Sequence, residues 1–193
     1  MRVLFLTAAI VIADQVTKLL VRGIQIPALG IAWEGMPYGM SRPLIGDFMR
    51  LTYIENPGMA FGIGTGGTPY FAIFSLIASV ALIAYLFHIR TAPFPFRLAL
   101  ATVLGGAVGN LIDRVFYGVI FGYAPLFRGR VVDFFDMDFV DFTVFGYHMS
   151  RFAIFNIADA SVTVGIILLL YLQYAESRAG APPPPSAPPA EPS

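Results

Sequence analysis

GGAVGNLIDR, residues Gly105 to Arg114, is an apolar, glycine-rich run that ends on an aspartate and an arginine. FNIADASVTVG, Phe155 to Gly165, places a second aspartate, Asp159, early in another apolar run. An ionisable side chain at the centre of a membrane helix costs about 2.5 to 3.5 kcal/mol on insertion scales, so each acid needs a reason to be there. Around the first, Ala101, Gly105 and Gly109 recur at every fourth position, a small-residue seam that lets a neighbouring helix approach closely. Gly106, Asn110 and Asp113 follow at i, i+4 and i+7 and share a different face, and Asn156, Asp159 and Thr163 follow at i, i+3 and i+7. Each acid thus has an amide one turn earlier on its own helix.

The rest of the chain makes membrane helices the natural reading. Of its 193 residues 57% are hydrophobic and only 12% charged, and the mean hydropathy is +0.73, values of an integral membrane protein. Four apolar spans are readable, at about 3–22, 70–87, 98–117 and 152–174. The first also has the length and flank of a cleaved signal peptide, Arg2 followed by Val3 to Ala13. Val16, Leu19, Leu20 and Val21 carry it past Asp14 and Lys18 to spanning length. Pro93 and Pro95 separate the second span from the third. An even number of spans puts both termini on one side, and the basic turn between spans two and three favours that side as the inside. Asp113 near the exit of span three and Asp159 near the entry of span four then lie at the same membrane face and can meet at one depth.

Two segments remain opposite the termini, 23–69 and 118–151. Phe48 to Glu55 alternates like a strand, and RVVDFFDMDFVDFTVF after Gly129 is dense in Phe and Val; both are expected as short β structure on the membrane surface. Residues 1–177 read as one membrane-embedded domain, and the proline-rich remainder, 178–193, as a solvated tail that packs no core.

Net charge is zero and the basic residues form no run, so nothing suggests a nucleic-acid partner. The absence of Cys removes thiol nucleophiles and Cys-ligated metals, and His88 and His148 alone make a His-rich metal site a poor prospect. Chemistry must come from carboxylates, amides, hydroxyls, Lys and Arg. Two carboxylates in contact at low dielectric tend to share one proton, so that one can activate water while the other polarises a carbonyl. Peptide hydrolysis, ion transport and helix packing all remain open on these grounds.

Other residues carry paired readings as well. Asp14 and Lys18, four apart, suit an intrahelical ion pair or a contact to bound substrate. Asn56 suits a turn or a grip on the substrate backbone. Arg114 cannot share the helix face of Asp113, so it suits phosphate headgroups or the second loop. Asp133, Asp136, Asp138 and Asp141 lack the spacing of a calcium loop and are expected at a solvated strand edge.

Five motifs taken in order, ADQVTK (Ala13 to Lys18), ENPGMAFG (Glu55 to Gly62), GGAVGNLIDRV (Gly105 to Val115), VVDFF (Val131 to Phe135) and FNIADASVTVG, closely resemble those of lipoprotein signal peptidase, also called signal peptidase II. The resemblance implies an all-α membrane protein with small β elements: a four-transmembrane-helix bundle with a β-cradle and a loop on the extracytoplasmic face. It implies an aspartic endopeptidase of the bacterial cell membrane (the inner membrane in a diderm), with both termini cytoplasmic. Such an enzyme cleaves diacylglyceryl-modified prolipoproteins on the N-terminal side of the lipidated cysteine, without metal or organic cofactor. Its partners would be that substrate and membrane phospholipids, and it would act as a monomer. Carried over by motif, Asp113 and Asp159 are the expected catalytic dyad. Asp14, Lys18, Asn56, Asn110, Arg114 and Asn156 are expected to bind substrate or support the dyad. Asp133 matches the VVDF position, whereas Asp136, Asp138 and Asp141 match no position of the family and are left outside the catalytic set. The stretch between the dyad motifs is longer than expected of many members, with extra residues around 122–130 and 136–149.

Overall fold

The computed structural model describes residues 1–58, 68–138, 142–144, 147–149 and 151–179, and among these four helices are long and apolar enough to cross a membrane. Helix α1 is Val3–Arg22, α2 is Thr68–His88 and α3 is Phe94–Ile112. Helix α3 continues through a wider π-helical turn, Asp113–Tyr117, into the short α4, Gly118–Ile120, and α5 is Ile157–Ala179. Many side chains on these helices, Phe74, Ile77, Leu170 and Tyr171 among them, are large, apolar and exposed, as a hydrocarbon solvent requires.

Close approach is what the small residues of α3 provide. Thr7 on α1 donates its hydroxyl to the Ala101 carbonyl (2.8 Å), and a Cβ on Gly105 or Gly109 would run into Ile10 or Asp14, so the small-residue seam is where α1 packs. Gly106, on another face, lies against the Ala158 carbonyl and Val162 of α5. Gly106→Ala is therefore expected to push α5 off α3 at a cost of about 1–3 kcal/mol. The readout is the thermal midpoint of purified protein in detergent; an unchanged midpoint would mean the two helices do not need this approach.

The strands all fall in the connections α1–α2 and α3–α5, so they gather at the single end of the bundle where α1 and α3 finish and α2 and α5 begin. Strands β1 (Ile24–Ile26) and β2 (Ile31–Trp33) form one hairpin. Strands β3 (Ser41–Ile45), β4 (Met49–Asn56) and β5 (Val131–Met137) form an antiparallel sheet in that order, with Ile54 opposite Asp133 and Asn56 opposite Val131. Strands β6 (Phe142–Val144) and β7 (Tyr147–Met149) pair with each other.

Three expectations change here. Pro95 does not hold the third helix back to Leu98: α3 starts at Phe94, because a proline in the first turn lacks only an N–H that has no helical partner. The fourth helix starts at Ile157 rather than Phe152, since Phe155 is committed to β5, exchanging backbone hydrogen bonds with Phe135 at 3.1 and 2.7 Å. That same pairing covers the free edge of β5, so Asp133 and Asp136 are not at a solvated edge; they are 2% and 7% exposed. Asp141 and the segment beyond residue 179 lie outside the described residues.

Candidate active site

Lys18 sits near the end of α1 with no exposure, and each of its three N–H donors has a partner. Its Nζ lies 2.8 Å from Asp14 Oδ2, 2.8 Å from Asp113 Oδ2 and 2.9 Å from Asn110 Oδ1. Asp113 is also wholly buried; its Oδ1 accepts from Gln15 Nε2 (2.9 Å) and its Oδ2 from the Val132 N–H (3.1 Å). Asp14 Oδ1 reaches across to accept the Ala158 N–H at 2.9 Å, satisfying a first-turn donor of α5 that has no helical partner. One ammonium and two carboxylates thereby join α1, α3, α5 and the start of β5.

That ammonium also orients the next shell of side chains. Because Lys18 can only donate, Asn110 must turn its carbonyl oxygen toward it, and this directs the Asn110 amide N–H₂ at Asp159 Oδ1, 2.7 Å away. Asn156 bridges in the other direction: its Nδ2 donates to Asn110 Oδ1 (3.1 Å) and to Asp133 Oδ1 (2.6 Å). At the start of α5 the motif FNIAD forms a reciprocal cap. The Asp159 N–H donates to Asn156 Oδ1 (3.0 Å), and the Asn156 N–H donates to Asp159 Oδ2 (3.3 Å). Asp159 thus lies in the first turn of α5, where the helix dipole favours negative charge.

Asp133 and Asp159 open onto one cavity of about 530 Å³. Its polar lining includes Asn56, Asn110, Arg114 and Thr163, and most of the remainder is apolar, including the run Phe152 to Phe155 and Val164. Asn56 serves as turn residue and partner at once: its Oδ1 accepts the Gly58 N–H (3.0 Å) and its Nδ2 faces Asp133 Oδ2 (3.3 Å). Burial, and next the charge of Asp159, push the Asp133 carboxyl up to about 8.

The chain that carries this site has known relatives. Residues 6–175 match the family model for signal peptidase (SPase) II. The lipoprotein signal peptidase of Chlorobium phaeobacteroides is 34% identical over 171 residues, covering 88% of this chain and 94% of that one. That of Desulfitobacterium hafniense is 35% identical over 176 residues, covering 91% and 95%. A bacterial membrane enzyme solved by the in meso method at 2.3 Å resolution superposes with a TM-score of 0.69 at 31% identity, covering 93% of this chain and 92% of that one. A second, solved by the same method at 1.9 Å, superposes at 0.64 with 33% identity, covering 89% and 92%. The chain belongs to the signal peptidase II family.

Within this family member the residues singled out by sequence divide into two groups. Asn56, Asn110, Arg114 and Asp159 line the cavity, with Asn156 buried directly behind. Asp14, Lys18 and Asp113 do not line it; they form the buried ion cluster beside it. The expected meeting of Asp113 with Asp159 is corrected accordingly: the carboxylate sharing the cavity with Asp159 is Asp133. The physical reason is the π turn and its surroundings, where Asp113 faces α1 and is neutralised by Lys18, while its neighbour Arg114 faces the cavity. Gln15 was given no role by the sequence reading, and Asp133 was matched to the VVDF motif without being placed beside Asp159. Two signals pointed to Asp133: its VVDF motif, and an acid set between Val131–Val132 and Phe134–Phe135, an anomaly of the same kind as Asp113.

Proposed function

We propose that this signal peptidase II family member is an aspartic endopeptidase whose reacting pair is Asp133 and Asp159. It removes signal peptides from prolipoproteins, cutting on the N-terminal side of a diacylglyceryl-modified cysteine. The observation that carries the reading is two carboxylates facing one largely apolar cavity and tied to each other through Asn156. The function printed for the relatives supports the substrate class: both are named lipoprotein signal peptidase.

Protons balance with one carboxyl of the pair protonated and the other ionised. Asp159, the ionised member, takes a proton from water as that water attacks the scissile carbonyl carbon. Asp133, held protonated, gives its proton to the carbonyl oxygen. The tetrahedral diol then collapses: Asp159 passes its proton to the leaving amine and Asp133 recovers one from a hydroxyl. Asn110 and Asn156 hold the carboxylates in place, and Arg114 and Asn56, which line the same cavity, would meet the peptide backbone. The apolar wall would seat a diacylglyceryl chain, bringing the adjacent peptide bond to the pair by proximity. Both termini would be cytoplasmic and the pair would lie at the extracytoplasmic face of the bacterial (inner) membrane.

The deciding experiment is incubation of purified protein in detergent with a diacylglyceryl-modified precursor peptide, the products read by mass spectrometry. A single cut before the lipidated cysteine, undiminished by chelator, is expected. Absence of cleavage combined with pH-gradient-dependent flux in liposomes would instead support ion transport.

Activity is also expected to be lost on the alkaline side. Asp133 gives up its proton as pH rises through about 8, and the doubly ionised pair can no longer polarise the carbonyl. The profile of kcat/KM should therefore fall above pH about 8. A flat profile to pH 10 would exclude a protonated carboxyl from the step.

A further inference from the structure

The chain leaves the sheet after Met137 and returns at Phe152, and the point of return is fastened by one guanidinium. Arg151 donates through Nε to Asp136 Oδ1 (2.6 Å) and through Nη2 to the Asp136 carbonyl (3.3 Å). Its Nη1 donates to Asp138 Oδ2 and to the Asp47 carbonyl, each at 3.2 Å. Asp136 is itself built in: its other oxygen accepts the Thr52 hydroxyl (2.8 Å), and Thr52 is paired with Ser41 (2.8 Å). Charge-assisted bonds to a rigid fork are the strong and directional kind, and a lysine could not reproduce them. None of Arg151, Asp136 and Asp138 lines the cavity, so the hydrolytic step gives them no role.

What the fastening separates explains its place. Three residues before Asp136, β5 bears Asp133. Directly after Arg151, the Phe152 N–H donates to the Met137 carbonyl (2.9 Å), and Phe152 to Phe155 run along the cavity as its wall. Phe155 then pairs with Phe135, Asn156 caps α5, and Asp159 follows in the first turn. The two carboxyls thus come from chain segments whose relative position depends on how residues 152–156 are laid against β5.

We propose that Arg151, gripped by Asp136 and Asp138, is a positioning residue: it clamps the segment entering α5 onto β5 and so sets the separation of Asp133 and Asp159. The inference rests on those two carboxyls being the reacting pair. A displacement of about 1 Å in such a geometry is enough to cost on the order of 100-fold in rate.

The test is steady-state cleavage of the diacylglyceryl-modified precursor peptide by full-length protein in detergent, with rates normalised to the monodisperse folded fraction. Arg151→Gln is expected to lower kcat by about 10- to 100-fold with KM changed less than about threefold. Arg151→Lys, which keeps the charge but not the fork, and the near-isosteric Asp136→Asn are expected to lose kcat to an intermediate degree. Arg50→Gln removes an exposed ion pair to Asp47 at the same end of the sheet and should leave kcat unchanged. Should Arg151→Gln fail to fold, Arg151→Lys and Asp136→Asn decide on the same readout. A lowered thermal midpoint with wild-type kcat per folded molecule would overturn the clamp, as would a rise in KM alone. Wild-type kcat in Asp133→Asn would remove the reacting pair and the clamp with it; loss there with wild-type kcat in the Arg151 and Asp136 variants would remove the clamp only.

Discussion

Asp133→Asn and Asp159→Asn are each expected to cut the rate of precursor cleavage by about 10³-fold or more, because an amide can neither take the proton from water nor give one to the carbonyl oxygen. Stability should not fall with activity. Two like carboxyls around one apolar cavity oppose each other's ionisation and Asp133 is the protonated member, so replacing it with a neutral amide removes no supporting charge pair. Asp133→Asn is therefore expected to melt near the parent temperature while uncleaved precursor accumulates. Asp113→Asn provides the contrast. It leaves Lys18 with Asp14 as its one charged partner, and it weakens acceptance of the Gln15 amide and the Val132 N–H, so it should lower the thermal midpoint and retain more turnover per folded molecule than Asp133→Asn. Cleavage at the parent rate by Asp133→Asn, with complete loss in a folded Asp113→Asn, would return the catalytic assignment to Asp113.

Lys18→Met carries the largest expected effect on folding. Removing one partner from a buried ion cluster typically costs about 3–5 kcal/mol, since the charges left behind stay out of water. Here two are left behind, Asp14 and Asp113, both wholly buried. Little folded protein should be recovered from the membrane, as read by size-exclusion yield and thermal midpoint. Because the fault is charge rather than shape, the triple variant Lys18→Met, Asp14→Asn, Asp113→Asn should recover much of the yield. Its residual turnover should stay low, because the Asn110 carbonyl then keeps only the Asn156 amide, at 3.1 Å, to hold it away from Asp159. A Lys18→Met protein as stable as the parent would show that the cluster contributes nothing to the fold.

Both experiments turn on a distinction that the one-dimensional pattern only half displayed. Hydropathy located four spans, and the small-residue seam on α3 marked a close helix contact, with α1 as the partner. Strand-like alternation found β4. The start of α5 was misplaced because the apolar run Phe152 to Phe155 reads like helix, yet it pairs with a strand 20 residues earlier, and hydropathy carries no record of such pairing. Asn156 and Asp159 were visible as a spaced pair, but their role as a reciprocal cap depended on where the helix begins.

Composition and motif order by themselves determined a membrane protein with intramembrane acids and the signal peptidase II resemblance, because insertion cost and helical periodicity are properties of the local chain. Which acids share a cavity was decided only by tertiary structure. Asp113 and Asp133 look alike in sequence, each an acid in an apolar setting, and they differ in what the fold brings to them. Lys18 from α1 neutralises Asp113, whereas Asn156 from the head of α5 ties Asp133 to Asp159. A carboxyl's chemistry follows its neighbours in space, and these come from chain segments that local sequence cannot pair.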